Sequence, residues 1–291
     1  MDRKQRTNAH GLGFVLPALL IITIFSFVPM IQSFFLSFQT GKGVVTEFGG
    51  LANYRRLFQD PVFIQAVKNT LLFLVIQVPI MTVLALIIAA ILNDKKLKFR
   101  GFFRVCIFLP CVTSLVSYSV LFKSLFSSSG LINDILLKLQ LIDLPIEWLT
   151  DPFWAKVTII IALTWRWTGY DMIFYLAAMQ NIDESVYEAA RLDGANGFKQ
   201  FFSITVPMLK PIILLTTIMS TNGTLQLFDE VMNLTNGGPN NATITISKYI
   251  YDLSFKFTPN FGYAATVSYA IVVFVAVLTF IQFRVTNRKE G

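Results

Sequence analysis

The chain has 291 residues, 54% of them hydrophobic and 14% charged, with a mean hydropathy of +0.61. Soluble domains carry about 25% charged residues, so a water-soluble globule is excluded and lipid is the solvent. The net charge of +7 does not indicate nucleic acid, because no basic patch is interleaved with aromatics; the cations flank apolar runs instead, as membrane topology requires.

Residues 1–10 form a polar tail with Arg3, Lys4, Arg6 and the only histidine, His10. The first predicted span runs from Gly11 to Phe38 and contains Pro17 and Pro29. It exceeds the roughly 7–15 apolar residues of a signal peptide and is read as a retained helix. Residues 39–65 read as a polar loop with Gly41, Gly43, Gly49 and Gly50, so 11–64 form the first helix and its external loop. Residues 65–285 read as the transmembrane core. Its first span is Asn69 to Leu92, followed by a short basic link with Lys95, Lys96, Lys98, Arg100 and Arg104. The third span, Phe102 to Phe126, holds Cys106 and Cys111, whose spacing fits neither a zinc site nor a redox pair. Residues 127–156 are a polar connection with a short amphipathic helix predicted over Leu131 to Leu141. The fourth span is Val157 to Gln180, and a polar island follows at 181–206. The fifth starts at Pro207, since proline suits a first helical turn, and ends near Phe228. Residues 229–262 read as a second external loop, with a turn at Asn236-Gly237-Gly238-Pro239. The sixth span is Tyr263 to Phe283, and 286–291 form a tail with Arg288 and Lys289.

Six spans place both termini on one side. That side carries fourteen Lys and Arg residues, the other nine, and Arg166 alone lies deep in a span. The excess puts the termini and the island in the cytoplasm. No GxxxxGK[ST] phosphate loop is present, and a single histidine permits no HExxH site. No catalytic residue and no metal ligand is therefore assigned, and a transporter is favoured over an intramembrane enzyme. A self-contained secondary carrier would need inverted repeats and its own ion site, and neither is clear.

Two stretches carry candidate function. In span four, Arg166 lies about 14 Å deep at helical rise and should face protein or water. Tyr170 is one turn away, Asp171 pairs better with Tyr175, and Gly169 is placed to let the helix bend. Trp165, Trp167 and Tyr170 suit sugar recognition, the rings covering C–H faces; structural pairing of Arg166 and Asp171 is the other reading. Span five carries Thr216, Thr217, Ser220, Thr221, Asn222, Gly223, Thr224 and Gln226. Thr217, Thr221 and Thr224 form an i, i+4, i+7 stripe flanked by Ser220 and Asn222. Helix–helix glue and a hydrated substrate-facing stripe both account for it. The island reads as helix, glycine break, second short helix. Glu188, Arg191 and Asp193 are polar; Ala189, Ala190, Leu192 and Ala195 give a compact apolar side. Gly194 supplies the reversal, and Phe198, Phe201 and Phe202 would anchor the second half to the bundle. An amphipathic helix on lipid headgroups is the plainer alternative.

These residues carry a resemblance. Glu188-Ala189-Ala190, then Gly194, Ile204 and Pro207, resemble the EAA motif of permease subunits of binding-protein-dependent ABC importers. Trp165-Arg166 through Leu176-Ala177, Ile182 to Tyr187, and Gly237-Gly238-Pro239 with Thr243 are similar to the carbohydrate branch: maltose, glycerol phosphate and multiple-sugar systems. The ending lacks the Gly-Ala-Lys-Gly tail often seen in the partner permease, so the chain resembles the maltose-F-like member. The resemblance covers essentially the whole chain, most specifically 160–265. It implies an all-α integral membrane protein with six transmembrane helices, the type I ABC importer transmembrane domain, multi-pass in the cytoplasmic membrane. It also implies a second homologous permease, two ATPase subunits that bind ATP and Mg, an external solute-binding protein, and a sugar, oligosaccharide or sugar-phosphate substrate. Glu188, Ala189, Ala190, Arg191, Asp193 and Gly194 would form the helix that couples to the ATPase. Trp165, Arg166, Tyr170, Asp171, Tyr175, Thr217, Ser220, Thr221, Asn222 and Thr224 are the substrate-path candidates.

Overall fold

The computed structural model describes residues 3–43 and 45–287; Arg288 and Lys289 of the predicted tail lie outside them. The chain divides into two compact units, residues up to Asp60 with Ile250–Val272, and Pro61–Tyr249 with Val273 onward.

The first unit opens on α1 (Arg3–Ile22), a π-helical turn (Thr23–Phe27) and α2 (Val28–Leu36). Gly13–Leu36 is long and apolar enough to cross a membrane, and Phe14, Ile21, Phe25 and Phe35 stay exposed, as lipid-facing side chains do. The expected loop at 39–65 is partly ordered: β1 (Gln39–Lys42) pairs antiparallel with β2 (Val45–Phe48), Gln39 opposite Phe48, and α3 (Ala52–Leu57) follows. The glycines that read as loop make the hairpin possible. Gly41 has φ +128, and a Cβ there would strike the Val45 carbonyl. Asn53 donates to the carbonyls of Ser37 (3.1 Å) and Gln39 (2.7 Å). In the helix that starts at Phe261, Thr266 donates to Ser37 O (3.0 Å) and Tyr263 to Asp60 (2.6 Å).

The second unit begins with α4 (Pro61–Asn93). The third span is broken: α5 (Arg100–Val112) and α6 (Leu115–Leu125) meet at 99°. Thr113 and Ser114 are extended (ψ 150 and 132), and Pro110 takes one N–H out of the last turn of α5. α7 (Leu131–Lys138) carries Asn133, whose amide donates to Ile146 O (2.9 Å) and accepts from the Trp148 indole (2.9 Å). α8 (Pro152–Gln180) starts on an Asp151 cap that accepts from the N–H groups of Phe153 and Trp154.

The island folds as α9 (Glu184–Leu192) and α10 (Gly197–Gln200), then a π-helical turn (Phe201–Thr205) and α11 (Val206–Met208). The fifth span does not start at Pro207. That residue belongs to a helical stretch, Gly197–Met208, which meets α12 (Lys210–Leu225) at 69°; Pro211 supplies the first-turn proline. The second predicted external loop instead holds α13 (Asp229–Leu234) and α14 (Ile246–Tyr251), and a π-helical turn (Asp252–Lys256) precedes α15 (Phe261–Asn287).

Among the described residues, three helices are long and apolar enough to cross a membrane alone, and up to five spans result when each bent pair counts as one. α8 completes six. Its 29 residues reach about 44 Å at helical rise; Lys156 near its start, Arg166, Asp171 and several Thr, Trp and Tyr residues lower its hydropathy, and Arg166 and Asp171 are buried in protein.

Candidate functional site

α4 and α8 pack along most of their length. One buried cluster joins Phe73 of α4 to Ile159 and Leu163 of α8; another joins Ala85, Leu86 and Ala89 to Met172, Tyr175 and Leu176. The order is the same on both helices, so they run parallel. Two parallel spans need one return crossing between them, which is what the broken pair α5–α6 supplies. Gly169 makes the α5 contact possible: a Cβ there would strike the Ile107 carbonyl. Its role is close approach rather than the predicted bend, and α8 is continuous through it.

Between the two clusters lies a cavity of about 560 Å³, inside the roughly 300–1,000 Å³ range of small-molecule sites. α4 contributes Gln77 and Met81; α8 contributes Arg166, Trp167, Tyr170 and Asp171; α12 contributes Ser220, Gly223 and Thr224. Gln226, Phe228, Asp229 and Glu230 close it. Arg166 is 8% exposed. Its Nη2 donates to Thr113 O at 3.4 Å, within the break of the third span. Its guanidinium stands 4.9 Å from the Tyr118 ring centroid and 5.5 Å from that of Trp167, while Nε and Nη1 have no hydrogen-bond partner. Irregular backbone at membrane depth persists where protein or a cavity meets it, and Arg166 does so here. Glu230, 6% exposed, lines the same cavity as Arg166 and Trp167.

The polar stripe of α12 is rotated from the predicted one. Thr216 pairs with Tyr175 OH at 2.6 Å, Ser220 donates to Asp171 at 3.3 Å, and Thr224 donates to Gln77 at 3.1 Å. This i, i+4, i+8 seam faces α8 and α4. Starting one residue later turns the stripe by about 100°, away from the cavity. Thr221 therefore accepts from Gln282 of α15 at 2.8 Å, the helix–helix reading, while Thr217 and Asn222 do not line the cavity. The expected Asp171–Tyr175 pairing gives way to these cross-helix partners. Tyr175 is fully buried in the second cluster, and Trp165 stacks outward on Tyr118 at 6.0 Å. Of the substrate-path candidates, Arg166, Tyr170, Asp171, Ser220 and Thr224 meet in one cavity; Trp165, Tyr175, Thr217, Thr221 and Asn222 do not. Gln77, Phe228, Asp229 and Glu230 also line the cavity and are not among the residues that the sequence pattern singles out. The amide at Gln77 in an apolar run and the acidic pair beside the end of span five were the available signals. Among the described residues, no group of three or more His, Cys, Asp or Glu side chains is placed to hold a metal ion.

The island is a second, different surface. Asp183 caps α9 by accepting from Ser185 N–H at 2.9 Å, which holds its carboxyl below the usual range, and Asn196 caps α10 by accepting from Lys199 N–H at 2.8 Å. Gly194 has φ +77, so Ala195 N–H returns to Ala190 O at 2.9 Å and the chain reverses. No residue of α9 is buried; Glu188, Ala189, Arg191, Asp193 and Gly194 are exposed, and Ala190 is half-buried. Tyr187 OH meets Thr205 Oγ1 at 2.9 Å. Lys95 bonds Glu184 at 2.6 Å. Of the three phenylalanines expected to anchor the island, only Phe201 packs on the buried cluster. Phe198 is 75% exposed, Phe202 54%, and Leu192 91%.

Comparison with known proteins concerns the chain as a whole. The profile of the family described as binding-protein-dependent transport system inner membrane component matches residues 71–290. The chain is 57% identical over 289 residues to the lactose transport system permease protein LacF of Rhizobium radiobacter, covering 99% of this chain and 97% of that one. A solved bacterial ABC transporter involved in importing the acidic polysaccharide alginate has a chain that superposes with a TM-score of 0.86 at 25% identity, covering 98% of each. A second structure, the alginate transporter in complex with an alginate pentasaccharide-bound periplasmic protein, gives 0.82 at 25% identity, covering 98% of this chain and 95% of that one.

Proposed function

We propose that this chain, which belongs to the family of binding-protein-dependent transport system inner membrane components and has the all-α type I ABC importer transmembrane fold, forms half of the path of an ATP-driven sugar importer. The observation that carries the reading is the polar cavity around Arg166, set inside a membrane bundle of this family. A buried guanidinium with two unpaired nitrogens is costly unless an oxygen meets it. Trp167, Tyr170 and Phe228 supply ring faces, and Gln77, Asp171 and Ser220 supply hydrogen-bonding groups. Such a mixture suits a sugar, and the lactose relative and the alginate structures favour a saccharide of two or more units. Lactose is the first ligand to test.

In this reading a second permease supplies the other half of the cavity, and an external binding protein delivers the sugar. Two separate ATPase subunits bind ATP and Mg on the cytoplasmic side, where the termini and the island lie. Glu188, Ala189, Ala190, Arg191, Asp193 and Gly194 form the contact with the ATPase. What supports this is a capped helix with small residues on one side, charges at its rim and no buried residue of its own. α8 enters the island and the Gly197–Met208 stretch leaves it towards α12, so a displacement of α9 passes into two of the three helices that line the cavity.

Reconstituting the chain with its partner permease, ATPases and binding protein tests the reading. Lactose uptake should require ATP and the binding protein, and transport by the isolated chain would overturn it. Glu188→Lys and Gly194→Val should leave the assembled complex in the membrane but stop uptake while ATP turnover persists. Unchanged uptake in both would remove the coupling role.

A further inference from the structure

We infer that the half-cavity supplied by this chain admits uncharged, hydroxyl-rich ligands and rejects anionic ones of the same size, a selectivity that rests on the cavity being the sugar site. Three carboxylates, Asp171, Asp229 and Glu230, line it against one cation, Arg166. The chain as a whole is basic, with a net charge of +7, so this pocket reverses the sign of the molecule. Asp171 and Glu230 are 2% and 6% exposed, and buried charges are screened far less by salt than surface ones.

Arg166 is not a free anion site. Glu230 shares the cavity with it, and Nη2 is committed to Thr113 O. What remains are the N–H groups at Nε and Nη1, buried and without partners. They are donors for a hydroxyl or ring oxygen. The carboxylates are acceptors for hydroxyl protons, as is the Gln77 amide oxygen, already shared with Thr224. A sugar hydroxyl both donates and accepts, so it satisfies both sets. A phosphate or carboxylate offers only lone pairs. It would gain one donor group and bring its charge beside three carboxyl groups, each of which must then either bear a like charge next to it or take up a proton, a cost a neutral ligand does not meet. Trp167 beside Arg166 covers C–H faces and makes no distinction of charge, so the discrimination lies in the carboxylates.

The test uses the purified complex of both permeases with the ATPases, without the binding protein, so that selection by that protein does not enter. Equilibrium dialysis compares labelled lactose with lactose 6-phosphate. The phosphate should bind about tenfold more weakly or worse, as one unanswered charge at low effective dielectric implies. The gap should narrow in Glu230→Gln and in Asp229→Asn, the second at an exposed residue whose change spares buried packing. Equal binding of the two ligands to the wild-type complex, or a gap unchanged in both variants, overturns the inference and leaves the cavity as the sugar site. Absence of lactose binding to the wild-type complex, or lactose binding unchanged in Arg166→Met, removes the cavity reading itself.

Discussion

The cavity and the island are built on opposite terms. The cavity is assembled from separate stretches of α4, α8, α12 and the 226–230 segment, and its polar groups are buried. Its partners come from far away in the chain: Thr224 with Gln77, Tyr175 with Thr216, Arg166 with the Thr113 carbonyl. The island is one continuous run, 181–206, held mainly by its own backbone, with caps at Asp183 and Asn196 and a reversal at Gly194. It exposes what the cavity hides. The difference suits the two roles proposed for them. A ligand site in lipid must satisfy polar groups through non-local packing, whereas a docking surface needs a stiff local shape and free faces.

That contrast can be broken most forcibly at Gly169. Its Cβ position is occupied by the Ile107 carbonyl, so Gly169→Ala must push α5 from α8. Overpacking of this kind costs about 1–3 kcal/mol. A clearly lower melting temperature of the purified complex is expected, with weakened ligand binding, while the island keeps its structure. An unchanged melting temperature would mean that α5 is not held against α8 in this way.

Gly194 should behave in the opposite manner. Space around it is open, and only its φ of +77 resists a side chain. Gly194→Val pays about 1–2 kcal/mol locally for a left-handed residue, with little loss of global stability and a large loss of uptake. Gly194→Asn, which tolerates that conformation, should retain most uptake. Equal loss in both variants would show that the site demands absence of a side chain rather than a backbone turn.

A smaller effect is expected at the seam between α8 and α12. Tyr175→Phe removes the 2.6 Å bond to Thr216, while Thr216 keeps its bonds to Ile212 O and Ile213 O. A buried hydrogen bond is worth about 0.5–1.5 kcal/mol, and cross-helix bonds in membranes average near the lower end, about 0.6. Ligand affinity should not change, because Tyr175 lies outside the cavity lining. A change in affinity larger than the change in stability would return Tyr175 to the substrate path.

The same contrast explains what could be read from the chain. The island was legible because its structure is local: cap residues, small residues, glycine and a second helix start appear in order along one segment. Helix locations were legible from apolar runs. The cavity was legible only in part. Arg166, Asp171 and Tyr170 declared themselves by being polar in a span, but which face of α12 met them depended on a rotation of one residue, and periodicity cannot choose between Thr216-Ser220-Thr224 and Thr217-Thr221-Thr224. Glu230 reads as loop because the residues after span five lose their apolar pattern; α13 turns it back to the cavity. The break at Thr113-Ser114 lies three residues beyond Pro110, yet the run stays apolar across it, so hydropathy reads one span.

The smallest expected effect lies where the two regions are joined to their surroundings by exposed charge. Lys95, in the link between the second and third spans, bonds Glu184 in the first turn of α9 at 2.6 Å. That hydrogen bond and the lysine's charge hold the Glu184 carboxyl below its usual range. A depressed folded pKa makes the contribution full above the ordinary glutamate pKa, about 4.3, and removes it as pH falls through the lower folded value. Between about pH 6 and 8 the pair is therefore constant, and uptake should show no titration from it. Both side chains are well exposed, so salt should screen the pair and its contribution should be near the limit of detection. Lys95→Met should lower coupled uptake slightly at low ionic strength and not at high, with sugar binding untouched. A large, salt-independent loss would mean that the link at 94–99 is itself part of the docking surface, and that the island is not the self-sufficient element its backbone describes.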